Sequence, residues 1–99
     1  MNNTQSIVDE IQSHKEKLRS FGVSRIGIFG SQIRGEATSA SDVDVLLDFY
    51  SGKKTYRNFI GTATLLEQIL NCHVDVLTQG SVSPYLKPQI EKDIQYVQI

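Results

Sequence analysis

Two aspartates stand one residue apart in the segment Asp42-Val43-Asp44 of this 99-residue chain. Aspartate is uncommon in strands, yet an apolar run starts at Val43, and residues i and i+2 of a strand point to the same face. Two carboxylates held so close repel each other unless a positive charge lies between them. Oxygen ligands of this kind favour a hard divalent cation, Mg²⁺ before Zn²⁺. The pair therefore predicts a metal site on one face of a strand.

A third carboxylate, Asp75, alternates with valines and so points away from the apolar face of its own strand. If that strand is the neighbour of the strand that holds Asp42 and Asp44, the three carboxylates share one sheet face, where they could hold two metal ions about 3.5–4 Å apart. Asp48 has the same parity but lies about 13 Å further along, so we expect a solvated charge at a strand end. His73 shares the face of Asp75 and could tune the site or contact a phosphate. An exposed histidine at the start of a strand is the commoner case.

Gly30 and Ser31 directly follow another apolar run. Glycine at a strand end lets a ligand approach the backbone closely, and a helical turn that begins at Ser31 could hold a phosphate with its free N–H groups and hydroxyl. Arg34 would lie one turn further on and could add a charge-assisted contact. A Gly-Ser turn or an Asp-x-Asp pair alone is more often an ordinary turn. Together, at the ends of predicted strands, they favour a site for a metal-bound nucleoside triphosphate.

Hydrophobic periodicity predicts the elements that must position these residues. We expect helices over 4–21 and 55–71, strands over 23–29, 43–49 and 73–77, and a last helix whose apolar face is marked by Leu86, Ile90, Ile94 and Val97. The order α-β-β-α-β-α predicts one domain over 1–99 with an α/β (α+β) fold, in which helices pack on one face of a small mixed sheet. The other face is then free to hold the site.

Composition narrows the possible partners and compartment. A net charge of −1 gives no strong field toward nucleic acid or an anionic membrane, so we expect no stable nucleic-acid binding. Cys72 is the only cysteine, which excludes an internal disulfide and fits a reducing compartment. The charged N-terminal segment does not read as a signal peptide, and the apolar runs are too short to span a bilayer. We expect a cytoplasmic protein.

The segment FGSQIRGEATSASDVDVLLDF resembles the minimal nucleotidyltransferases, the MNT family within the DNA-polymerase-beta-like superfamily. The family pattern is Gly-Ser, a spacer, Asp-x-Asp and a third aspartate on a later strand. Here ten residues separate Gly30-Ser31 from Asp42-Val43-Asp44, and Asp75 fits the third acidic position. Arg34-Gly35-Glu36 and Ser41 are also similar to the family's usual residues.

This resemblance implies the nucleotidyltransferase fold and attack of a hydroxyl on the α-phosphate of Mg-ATP, with release of pyrophosphate. It implies that Asp42 and Asp44 ligate the metals, and that Asp75 shares a metal and helps to deprotonate the hydroxyl. Gly30 and Ser31 would hold the β- and γ-phosphates. It also implies a toxin–antitoxin pair. In that pair this chain would be the antitoxin, would form a hetero-oligomer with an all-helical HEPN ribonuclease toxin, and would transfer AMP to a tyrosine hydroxyl of that toxin.

Two other functions stay open. The chain could be an antitoxin that masks its partner by binding alone, although the full set of three aspartates counts against this. It could also modify RNA ends or a small hydroxyl compound, which the near-neutral charge and the short length disfavour. No residues that would read the base of the nucleotide can be identified in the sequence.

Overall fold

The computed structural model describes residues 4–30 and 43–99, so Ser31, Arg34 and Asp42 lie outside the described residues. The helices are α1 (Thr4–Ser13), α2 (Lys15–Ser20), α3 (Tyr56–Leu70) and α4 (Lys87–Asp93), and a 3₁₀ turn spans Gln79–Ser81. The strands are β1 (Val23–Phe29), β2 (Val43–Phe49), β3 (Val74–Thr78) and β4 (Gln95–Gln98). No helix in these two ranges is both long enough and apolar enough to cross a membrane.

The strands form one mixed sheet in the order β3-β2-β1-β4. β1 runs antiparallel to both β2 and β4, whereas β2 and β3 are parallel. Parallel neighbours need a crossover connection, which α3 provides. The predicted mixed sheet is confirmed. The strands that carry Asp44 and Asp75 are neighbours, which meets the condition set for a shared acidic face.

Local capping sets the ends of the crossover helix α3. The Thr55 side chain accepts a hydrogen bond of 3.1 Å from the backbone N–H of Asn58, as expected of an N-cap threonine. Asn71 ends the helix in the left-handed conformation, with a φ of 53°. The chain then turns directly into β3, so the position of α3 fixes where β3 begins.

One face of the sheet packs against α1, α2 and α3. The core consists of alternate residues of the strands together with the apolar faces of these helices, and includes Ile7, Ile11, Leu18, Ile26, Ile28, Val43, Val45, Leu47, Leu66, Val74 and Val97. Because successive strand residues point to opposite faces, Asp44 and Asp75 point to the other face of the sheet.

The first predicted helix, over 4–21, is divided in the structure. Its break falls at His14, whose ring Nδ1 lies 3.0 Å from the carbonyl oxygen of Glu10. That carbonyl is the one that the His14 backbone N–H would use in an α-helix; instead the N–H donates to Ile11 at 3.1 Å. A side chain that competes for a backbone acceptor in this way disrupts the helical ladder locally. Both halves still place apolar residues in the core.

The prediction of one last helix through Val97 is wrong beyond Asp93. Residues 95–98 form β4 instead, in which Val97 is the partner of Ile26 on β1. Without β4, β1 would be an edge strand with unpaired backbone groups. The apolar spacing of this segment is compatible with either structure, and the pairing with β1 decides between them.

Ile94 and Tyr96 lie on the face of the sheet opposite to α1, α2 and α3. A side chain at Gly27 would collide with Ile94 and Tyr96, and Gly27 has the parity opposite to the core residues Ile26 and Ile28. The expectation that the helices pack on one face therefore applies to α1, α2 and α3. The segment that contains α4 covers part of the opposite face of β1, because Gly27 leaves room for Ile94 there.

Candidate active site

Asp44 and Asp75 are direct partners in the parallel register of β2 and β3. Neighbouring strands are about 4.8 Å apart, so the two residues lie side by side. Their chain neighbours Val43, Val45 and Val74 are buried in the core, which directs both carboxylates to the opposite face. Asp44 is half-buried and Asp75 is exposed. The two carboxylates therefore form a pair on an accessible sheet face, as expected for neighbouring strands.

Gly30 lies against the carboxylate of Asp44. The strand register pairs Phe29 with Asp44, and the next residue, Gly30, leaves β1 with a φ of +81°. A Cβ atom at residue 30 would collide with Oδ2 of Asp44. Glycine is thus required twice here, for its positive φ and for the close approach of its backbone to a carboxylate.

The structure therefore brings together Gly30, Asp44 and Asp75 of the predicted site residues. The other three, Ser31, Arg34 and Asp42, lie outside the described residues. Asp48 is separate from this group. Its carboxylate hydrogen-bonds the Arg25 guanidinium at 2.5 Å.

The Arg25–Asp48 pair corrects the expectation that Asp48 is a solvated charge. Only 20% of the Asp48 side chain is exposed, and Arg25 also stacks on the ring of Tyr96, 3.7 Å from its centroid. The hydrogen bond to Asp48 raises the pKa of Arg25 above its ordinary value, against the opposing effect of burial. The pair is a structural contact between strands and is not part of the acidic site.

His73 contacts Asp75, with which it was expected to share a sheet face, and also contacts Glu67. Its ring is 60% exposed, as expected, but Nε2 lies 3.0 Å from Oδ1 of Asp75 and Nδ1 lies 3.1 Å from Oε2 of Glu67. The same oxygen of Glu67 accepts a hydrogen bond of 3.3 Å from the backbone N–H of Val74. The sequence contains no signal for Glu67, which reaches the site only because α3 packs beside the start of β3.

An apolar pocket of about 200 Å³ opens beside Gly30. It is lined by Phe29, Gly30, Leu86, Gln89, Ile90 and Asp93. The pocket was not predicted, because the apolar face of the last helix was expected to be core or, in part, a partner surface. Gly30 lines this pocket and also lies against Asp44. A ligand in the pocket would therefore be close to Asp44.

The acidic pair fits a hard cation. Within residues 4–30 and 43–99 no group of three His, Cys, Asp or Glu side chains could hold a metal ion. Asp44 and Asp75 supply two adjacent carboxylates, and the third expected ligand, Asp42, lies outside those ranges. Carboxylate oxygens are the ligands that Mg²⁺ takes in phosphoryl-transfer sites, together with substrate phosphates and water.

Comparisons with known proteins agree with this fold. The chain is 38% identical to the protein adenylyltransferase MntA of Thermococcus cleftensis over 95 residues, which cover 91% of this chain and 95% of that protein. A chain of a toxin–antitoxin structure with AMP-PNP has the same fold, with a TM-score of 0.69 and 22% identity over 90% of this chain and 70% of that chain.

A third match comes from a complex of the tri-AMPylated HEPN toxin of Shewanella oneidensis with an MNT antitoxin. Its TM-score is 0.60 at 20% identity, over 90% of this chain and 70% of that chain. The family model for the nucleotidyltransferase domain matches residues 11–97, nearly the whole chain. This protein therefore belongs to the nucleotidyltransferase domain family.

Proposed function

We propose that this protein is a Mg²⁺-dependent protein adenylyltransferase, which transfers AMP from ATP to a tyrosine hydroxyl of a HEPN-type toxin and so acts as its antitoxin. The observation that carries the proposal is the register pairing of Asp44 with Asp75, with Gly30 against Asp44. It supports a phosphate-binding role for Gly30 and a metal-binding role for the two carboxylates, which lie on one sheet face. The names of the similar proteins, a protein adenylyltransferase and toxin–antitoxin complexes, support the choice of acceptor.

The phosphates of ATP would bind at the end of β1. Gly30 presents backbone without a side chain, Ser31 adds a hydroxyl, and Arg34 adds a positive charge for the β- and γ-phosphates. The pocket beside Gly30 is large enough for a purine ring, and Leu86 and Ile90 give it the apolar walls that a flat ring needs. A structural neighbour that contains AMP-PNP supports ATP as the nucleotide.

Asp42, Asp44 and Asp75 would hold Mg²⁺, which when bound offsets the negative charge of the triphosphate. Asp44 lies between Gly30 and Asp75, so it belongs between the phosphates and the acceptor. Asp75 is the more exposed carboxylate, which makes it accessible to the side chain of a partner protein.

The reaction then requires one proton transfer and one displacement. Asp75 takes the proton of the tyrosine hydroxyl as general base. The phenolic oxygen forms a bond to the α-phosphorus, and the bond from this phosphorus to the bridging oxygen of the β-phosphate breaks. Pyrophosphate leaves with the electron pair of that bond, and the tyrosine carries AMP through a phosphodiester.

The test is transfer from ATP labelled at the α-phosphate, with Mg²⁺, in a lysate of the source organism. The intact protein is compared with Asp44→Asn, Asp75→Asn and a control variant, Glu16→Gln, whose exposed carboxylate lies on α2. We expect a labelled, protease-sensitive band with the intact protein and the control, and none with the two aspartate variants. Phosphotyrosine-type linkage in that band, identified by mass spectrometry, would establish the acceptor.

Other outcomes contradict the proposal in distinct ways. Label that ribonuclease removes would identify RNA as the acceptor. Label on a small molecule would identify that compound as the acceptor. If the aspartate variants still neutralise the co-expressed toxin as well as the intact protein, the antitoxin acts by binding alone.

A further inference from the structure

We infer that His73, held by Glu67, is a positioning residue that orients the carboxylate of Asp75 for AMP transfer; this inference rests on the proposed function. The ring of His73 lies between two carboxylates, with Nε2 at 3.0 Å from Asp75 and Nδ1 at 3.1 Å from Glu67. Ionised carboxylates only accept hydrogen bonds, so the ring donates at least one of these contacts. The ring plane is thereby set by partners at both of its nitrogens.

The backbone of the same segment connects the two acidic strands. The carbonyl oxygen of His73 accepts a hydrogen bond of 3.1 Å from the N–H of Val43, the residue between Asp42 and Asp44. The next N–H, of Val74, donates to Glu67 at 3.3 Å. His73 therefore contacts β2 through its backbone and Asp75 through its ring, so its position is tied to both sides of the acidic pair.

Among the residues that the structure describes, His73 holds the Asp75 carboxylate through a contact of 3.0 Å. The Asp75 side chain is 52% exposed, and the terminal torsion of a carboxylate is broad. The contact with His73 uses Oδ1 and leaves Oδ2 to face a metal ion or the acceptor hydroxyl. Hydrogen-bond partners that orient metal-binding side chains typically change metal affinity or activity by about 10–100-fold when removed.

The solvent exposure of His73 and Glu67 distinguishes a positioning role from a structural one. His73 and Glu67 have side chains that are 60% and 43% exposed, and ion pairs exposed to solvent contribute little to stability. Removing the His73 ring should therefore change catalysis much more than it changes folding. A residue that merely stabilises the fold would show the opposite.

The test compares His73→Ala, His73→Gln and Glu67→Gln with His14→Ala, a control histidine whose ring contacts the carbonyl oxygen of Glu10 in α1. We expect His73→Ala to lower kcat for AMP transfer by roughly 10–100-fold, with a KM for ATP within about twofold and an unchanged melting temperature. Glutamine can donate from its amide to Asp75, so His73→Gln should recover part of the rate. Glu67→Gln should cause a smaller loss, and the control none.

Two further measurements make the outcome decisive. Because His73 acts through Asp75, adding His73→Ala to Asp75→Asn should cause no further loss of Mn²⁺ affinity. Binding of Mn²⁺ to the free protein, measured by calorimetry, should weaken in His73→Ala and not in His14→Ala. If the intact protein transfers no AMP, the proposed function fails, and Mn²⁺ binding still tests the role of His73. Unchanged kcat and Mn²⁺ affinity in His73→Ala would overturn the inference. So would a further loss of Mn²⁺ affinity in the double variant equal to the loss that His73→Ala causes alone.

Discussion

Gly30 and Asp44 lie against each other at the end of β1, so closely that any side chain at residue 30 would collide with the Asp44 carboxylate. The strand register explains the contact, because Phe29 is the partner of Asp44 and Gly30 turns away from the strand with a φ of +81°. The predicted phosphate-binding backbone and the predicted metal-binding carboxylate are therefore in direct contact. A substitution at either residue is therefore expected to displace the other.

Replacing Gly30 with alanine should reduce AMP transfer at least tenfold and lower the melting temperature. The new Cβ meets Asp44, and a positive φ costs a non-glycine residue about 1–2 kcal/mol. Gly52→Ala is the matched control, because Gly52 has a φ of +78° but open space around its Cβ position. Thermal unfolding and the transfer rate are measured for both variants. Equal activity in the two variants would show that the contact with Asp44 does not matter for function.

The sequence predicts the acidic face well because strand parity is a local property. Alternation along Val43-Asp44-Val45 and Val74-Asp75-Val76 decides the face of each aspartate before any pairing is known. The sequence left open whether β2 and β3 are neighbours. The register that makes Asp44 and Asp75 partners depends on how the strands assemble in the folded protein. The placement of Gly30 at the end of its strand was likewise predictable from the apolar run before it.

Other features were not predictable because they depend on contacts between distant segments. The strand β4 forms because β1 needs a partner, whereas its own apolar spacing is also compatible with a helix. The pocket beside Gly30 exists because Ile94 packs over Gly27 and directs α4 to the site face. Glu67 reaches His73 only through the packing of α3 near β3. Each of these three contacts joins elements that are separate in the chain.

The Arg25–Asp48 pair should stabilise the fold without affecting the reaction. We expect Arg25→Ala to lower the free energy of unfolding by about 1–3 kcal/mol, since it removes a charged hydrogen bond and a contact with the Tyr96 ring. Arg57→Ala, at an exposed position at the start of α3, is the control. Denaturant unfolding measures both. A loss of AMP transfer in Arg25→Ala beyond the loss of folded protein would contradict this separation.

This stabilisation should not depend on pH near neutrality. The hydrogen bond to Asp48 raises the pKa of Arg25. A cation whose pKa is raised by folding contributes stability that is fully present below its unfolded value and is lost only as the pH rises through the folded value. Both the unfolded and the folded pKa of Arg25 lie in strongly alkaline solution, far above neutrality. The difference in unfolding free energy between the intact protein and Arg25→Ala should thus be constant between about pH 6 and pH 9.

Mg²⁺ should stabilise the intact protein and fail to stabilise a variant that lacks the acidic pair. The paired carboxylates of Asp44 and Asp75 repel each other without a cation, and a ligand that binds only the folded state raises the melting temperature. We expect a rise of a few degrees at millimolar Mg²⁺, reversed by a chelator, and no rise in Asp44→Asn/Asp75→Asn. Thermal unfolding with and without Mg²⁺ measures this. An equal rise in both proteins would mean that the ion binds elsewhere.

Filling the pocket beside Gly30 should weaken ATP binding more than it slows the chemical step. Ile90 lines this pocket, and a tryptophan there would occupy much of the space of about 200 Å³ that we assign to the purine. We expect Ile90→Trp to raise the KM for ATP at least fivefold while kcat falls less. Tyr85→Trp introduces the same side chain at a residue that is 94% exposed and outside the pocket, so its KM should not change. If Ile90→Trp keeps the normal KM for ATP but raises the KM for the protein acceptor, the pocket receives the acceptor instead of the purine.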